Sequence, residues 1–225
     1  LIIDQKANCA VSGGSFINSG SVEAQSGTLA FSSGVTSNSG SFTATANGTI
    51  TFAGGQNFND GTSFSSPAGK IRITAGATTL SGNLTTSGLE FAGGDLYGSA
   101  TIGGNMNWTA GTWRAANIVT FSPGSSLTLS GAADKSLIRG DGNGSGGRIL
   151  RTGGTLTWTD AGRIVGNEGA GIDVLAGGEF ELRNDSSFVY GGGGNIPFLT
   201  NAGTVRKIGS TGTTAFDGVA FTNNG

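Results

Sequence analysis

Histidine is absent from this 225-residue chain, cysteine and methionine occur once each, and proline three times. Without histidine there is no Ser-His-Asp or Cys-His nucleophile pair and no histidine metal site. The single cysteine, Cys9, cannot close an internal disulfide, and its default reading is a buried structural thiol. Charge is scarce as well. Twelve basic and 14 acidic residues leave a net charge of -2, without the positive footprint expected of a nucleic-acid or anionic-membrane partner. No apolar run approaches the roughly 18–20 residues needed to cross a bilayer, so no membrane insertion is expected. Leu1 to Ile3 is too short for a signal-peptide core, and the chain is expected to begin inside folded sequence, with more of the natural protein on both sides.

What is abundant is glycine, at 44 residues, together with Ser, Thr and Asn. Glycine at this level often marks disorder, yet 36% of the chain is hydrophobic and falls in short, evenly scattered groups. There is no Gly-X-Y period, which excludes collagen. The remaining solution is an ordered all-β fold of many short strands and tight turns.

Self-comparison exposes a repeat. A pentad of glycine, any residue, apolar, any, apolar occurs as Gly27-Thr28-Leu29-Ala30-Phe31, Gly48-Thr49-Ile50-Thr51-Phe52 and Gly69-Lys70-Ile71-Arg72-Ile73, each 21 residues after the last. Looser copies follow at Gly88-Leu89-Glu90-Phe91, Gly111-Thr112-Trp113-Arg114-Ala115, Leu127-Thr128-Leu129, Gly154-Thr155-Leu156-Thr157-Trp158, Gly178-Glu179-Phe180-Glu181-Leu182 and Gly203-Thr204-Val205-Arg206. Apolar residues two apart describe a strand with one buried face. Further alternating segments, Phe42-Thr43-Ala44 and Ile172-Asp173-Val174, lie between the pentads. A repeat of about 21–25 residues with two or three such strands is one coil of a parallel β-solenoid. The expectation is a single domain over residues 1–225, with about ten coils stacked at roughly 4.8 Å into a rod of roughly 45–50 Å.

Aligned pentads predict one outward ladder: Ala30, Thr51, Arg72, Glu90, Arg114, Thr128, Thr157, Glu181 and Arg206. Glu90 then falls between two arginines and Glu181 beside Arg206, an arrangement adjacent strands favour. The flanking apolar residues, from Leu29 and Phe31 through Trp113 and Trp158 to Leu182 and Val205, should stack as the core. The tryptophans Trp108, Trp113 and Trp158 are read as core rather than as a sugar platform. Lys207 interrupts the inward column, so the last strand is expected to end at Val205 or to shift register.

A second motif, Phe16-Ile17-Asn18-Ser19-Gly20, recurs as Phe221-Thr222-Asn223-Asn224-Gly225 and more loosely around Phe198, which suggests one super-repeat of a longer array. Together, the F-x-N-x-G, S-G-T-L-x-F and G-T-V-x-K spacings resemble the Gly-rich repeats of large bacterial exoproteins, adhesins and autotransporter passenger regions. That resemblance covers nearly the whole chain and implies a right-handed parallel β-helix, secreted or displayed at the cell surface, with no catalytic residue carried across.

Charged residues concentrate between Asp134 and Asp185, including Arg139, Asp141, Arg148, Arg151, Asp160, Arg163, Glu168, Asp173, Glu179, Glu181 and Arg183. Two readings follow. They either form solvated ladders, or line a groove in which clustered carboxylates bind or cleave a polysaccharide. Asp141 to Gly146 has the start of a calcium loop but Thr152 where the distal acid should stand, and is read as a turn. Arg139-Gly140-Asp141 and the four potential glycosylation tripeptides at Asn47, Asn83, Asn107 and Asn184 are taken as chance matches. Gly191 to Gly194 lacks the context of a phosphate loop. A flat threonine array for ice is broken by Arg72, Glu90 and Arg114. The expectation is therefore a structural or adhesive module rather than an enzyme, with no catalytic, cofactor or metal site. Its partners are expected to be neighbouring repeats or further copies end to end, and cell-surface glycans.

Overall fold

The computed structural model describes residues 2–3, 8–140 and 146–225, with only the backbone of 2–3. Among these there is no helix; all regular structure is parallel strand, stacked in register as a β-solenoid. Each coil runs over three faces. The first carries the pentads, from Cys9–Val11 through Lys70–Ile73 and Thr155–Trp158 to Thr204–Lys207. The second begins with Phe16–Asn18 and Val35–Ser37 and ends with Ala215–Asp217. The third includes Ser63–Ser65, Ile118–Phe121, Gly171–Val174 and Ala220–Asn223. Phe42 to Ala44 and Ile172 to Val174 both lie on this third face, as their alternation implies.

The core is the column expected from the pentads. Leu29, Ile50, Ile71, Leu127, Leu156 and Phe180 are buried and stack coil upon coil. Aromatic rings reinforce it where they coincide. Phe31 stacks on Phe52 at 5.3 Å between centroids, Phe42 on Phe64 at 5.7 Å, and Trp108 on Trp113 at 4.6 Å. Cys9 heads the first column over Leu29, half-buried rather than fully enclosed.

Coil length varies more than the pentad spacing predicts. Seventeen residues separate Leu89 from Met106, its partner in the next coil, while twenty-nine separate Leu127 from Leu156. The shortest coils, Gly82–Tyr97 and Ala100–Trp113, each cross all three faces as one unbroken strand, bending at glycines with positive φ such as Gly88, Gly94 and Gly104. This compression corrects one pentad. Opposite Glu90 stands Asn107, from Gly104-Asn105-Met106-Asn107-Trp108, and Trp113 packs on the second face between Leu96 and Leu137. The missed segment obeys the pentad rule; only its short spacing hid it.

The F-x-N-x-G recurrence is corrected too. Phe16 lies on the second face, whereas Phe221 lies on the third, directly under Leu199. Asparagines at corners accept from an N–H two residues on, inside the motif and its Phe198 relative as in Asn18 to Gly20 at 3.1 Å and Asn201 to Gly203 at 3.1 Å, and outside it as in Asn184 to Ser186 at 3.2 Å. Those three examples occupy the three different corners of the coil. Nor does the last pentad strand stop at Val205. It keeps register to Lys207, opposite Leu182, because the Lys207 ammonium leaves the column to bond the Asn184 carbonyl at 2.7 Å and Asp185 at 2.8 Å.

Gly104 combines a φ of +87° with a position where a Cβ would press on the Thr86 carbonyl oxygen of the preceding coil. Gly104→Ala is expected to destabilise by about 2–4 kcal/mol. Gly14→Ala, at an ordinary φ with open space around it, should leave the denaturation midpoint unchanged.

Candidate functional site

The outward ladder of the first face is Ala30, Thr51, Arg72, Glu90, Asn107, Thr128, Thr157, Glu181 and Arg206. Arg72 grips Glu90 with two bonds, Nε to Oε2 at 2.7 Å and Nη2 to Oε1 at 3.0 Å, and Thr109 donates to the same carboxylate at 2.9 Å. Burial pushes the Glu90 carboxyl up, but these hydrogen bonds and the charge of Arg72 and Lys70 outweigh it and hold the group below its ordinary range. Arg114 takes no part; it sits on the second face with Nε 2.7 Å from Asp95.

Lower on the same face, Glu181 is nearly buried between Arg183 at 2.7 Å and Arg206 at 2.6 Å, and Arg206 also reaches Glu179 at 2.6 Å. Hydrogen bonds from both arginines lower the Glu181 pKa. This quartet lies within or beside the charge-rich segment from 134 to 185, whose other acids are distributed elsewhere. Asp134 pairs with Arg163 at 2.7 Å on the first-to-second corner, and Asp173 with Arg151 at 3.0 Å on the third face. Glu168 accepts from the Gly140 N–H at 2.6 Å at another corner. Asp141 and the rest of the calcium-like segment to Ser145, with the end of Arg139-Gly140-Asp141, lie outside the described residues.

One concavity does gather parts of the segment. A cleft of about 580 Å³ on the first-to-second corner is lined by Asp160, Arg183, Asn184, Asp185, Ser186 and Ser210. Its two carboxylates are both engaged: Asp160 accepts from the Gly131 N–H at 2.7 Å, and Asp185 from Lys207. The Asp185 pKa is lowered, chiefly by that Lys207 bond, and the Asp134 pKa by Arg163. Asp185 and Asp134 are thus each held ionised by a cation partner, Lys207 and Arg163.

Two cations are buried, and Arg148, counted among the charges expected in solvated ladders or a groove, is in neither. Lys135 is an inward residue of the second face, stacked on Ile164, and donates to the Ala133 carbonyl at 2.5 Å and to that of Gly131 at 3.3 Å. Desolvation lowers its pKa, with Asp160 and Asp134 opposing. Arg148, wholly buried, precedes the strand Ile149–Thr152. For Lys135 the alternation Lys135-Ser136-Leu137 was a usable signal; Arg148 stands in a glycine-rich turn with none.

Glu90 and Glu181 have folded-state pKa values below their unfolded ones, so the stability they lend is complete above the ordinary carboxylate range and is lost as pH falls through the lowered values. The thermal midpoint should be level from neutral pH to about pH 5 and fall below about pH 4. Glu181→Gln should shrink that acid-side fall, as measured by circular dichroism.

No protein-family model, curated protein or solved structure matches this chain.

Proposed function

We propose that the chain is a structural module of an extracellular protein, a stalk, filament segment or adhesin scaffold that supplies length and stiffness and has no catalytic chemistry. The observation that carries this reading is continuity. Three parallel faces persist through about ten coils, and the acidic side chains of the 134–185 segment that border them are spent on ladder and corner bonds. Main-chain pairing of this kind resists unfolding and proteolysis because each strand is held from both neighbours. The Gly-rich repeat resemblance supports a bacterial, secreted or surface-displayed setting, and the small net charge supports partners other than nucleic acid. The described residues include no helix long and apolar enough to cross a membrane.

Strand edges at the ends of a solenoid template further pairing, so neighbouring repeats or further copies of the chain are the proposed partners. The second reading, polysaccharide binding or cleavage within 134–185, is favoured by one feature, the cleft holding Asp160 and Asp185.

The purified chain, screened against a glycan array and a set of acidic and neutral polysaccharides, is expected to release no cleavage product. Retention of one glycan class that is abolished in Asp160→Asn/Asp185→Asn, with the fold intact, would move the assignment to the second reading. Sedimentation velocity is expected to show association that grows with concentration; a monomer at all concentrations would remove the end-to-end proposal.

A further inference from the structure

Arg148 is the feature that neither the ladder pattern nor the cleft accounts for. Its side chain is completely buried and runs along the second-to-third corner, tying three coils together. Nη1 donates to the Gly98 carbonyl at 2.6 Å and to the Arg114 carbonyl at 3.2 Å, and the guanidinium carbon stands 5.6 Å from the Trp113 ring centroid. Two carbonyl dipoles and an aromatic face offset part of a buried positive charge. They leave the rest, because no carboxylate among the described residues pairs with Arg148.

Arg148 Nε and Nη2 are buried without a partner, and so is the indole Nε1 of Trp113, the ring against which the guanidinium packs. All three are donors, so only an acceptor satisfies them. Each unpartnered buried donor destabilises the fold, and a buried cation without a counter-charge does so more strongly. Burial alone pushes the Arg148 pKa down to about 9, still above neutral, so the guanidinium stays charged at physiological pH. A neutral acceptor would answer the hydrogen bonds and leave the charge. A small anion answers both.

We infer that the corner beside Trp113 and Arg148 is a binding site for a small monovalent inorganic anion of chloride type, held by Arg148 Nε and Nη2 and Trp113 Nε1. The ion completes the charge balance at the place where the two shortest coils, Gly82–Tyr97 and Ala100–Trp113, meet the longest one. Anion binding would thus stabilise the middle of the rod, whatever the outer faces bind.

Bromide is the probe. Crystals grown in sodium bromide and measured at the bromine edge should show an anomalous peak in hydrogen-bond contact with Arg148 and Trp113. In solution, replacing acetate by about 0.5 M bromide at fixed ionic strength should raise the thermal midpoint by about 2–4 °C. Arg148→Met should lose that response. Water density or a side-chain carboxylate at the site, bromide peaks confined to the surface, or a midpoint that answers to ionic strength alone would each overturn the inference. If Arg148→Met does not fold, the diffraction result on the unaltered chain decides by itself.

Discussion

Everything in this molecule depends on parallel strands lying in register, one coil on the next. Parallel pairing at roughly 4.8 Å sets each residue over its counterpart, so an inward site must suit both the site above and the site below. The Phe31–Phe52 and Phe42–Phe64 stacks are this rule written in aromatic rings, and the Leu127–Leu156–Phe180 column is the same rule in a mixed side-chain series. A slip of one residue would turn these side chains to solvent and bring Arg72 or Glu181 into the core. Register is consequently the property that the strands cannot vary.

Length is the property that they can. The faces need only short strands, so residues are gained and lost at corners without disturbing a column. Two chemical devices serve the corners. Where the coil is tightest, glycine in the left-handed region bends a continuous strand, as at Gly88 and Gly94. Where there is more chain, an asparagine caps an N–H two residues on, as at Asn18, Asn184 and Asn201. Abundant Gly and Asn is therefore the composition of corners, and the scarcity of proline follows from strands that need their N–H groups on both edges.

Charge obeys the same geometry. On the flat faces it pairs vertically, Arg72 with Glu90 and Glu181 with Arg206, at contacts that chiefly report register. At the corners the chain turns carbonyls away from the ladders, and those carbonyls accept from buried cations. Lys135 uses Ala133 and Gly131 in this way, and Arg148 uses Gly98 and Arg114. Corners can thus shelter polar groups that the apolar column cannot.

The sequence by itself determined the all-β solenoid, the inward column and most of the outward ladder, because a period-two strand pattern repeated at one coil length is local information. Lys135 was within its reach, since it sits at an inward site of an alternating triplet. What only the tertiary structure decided was whatever depends on how many residues a corner consumes. The seventeen-residue step from Leu89 to Met106 moved Asn107 into the ladder and Arg114 out of it, and Phe16 and Phe221 share a motif yet lie on different faces. Arg148 belongs to the same class. Its partners at Gly98 and Arg114 are fifty and thirty-four residues away in sequence, and become neighbours only because stacking turns sequence distance into a few ångströms along the axis.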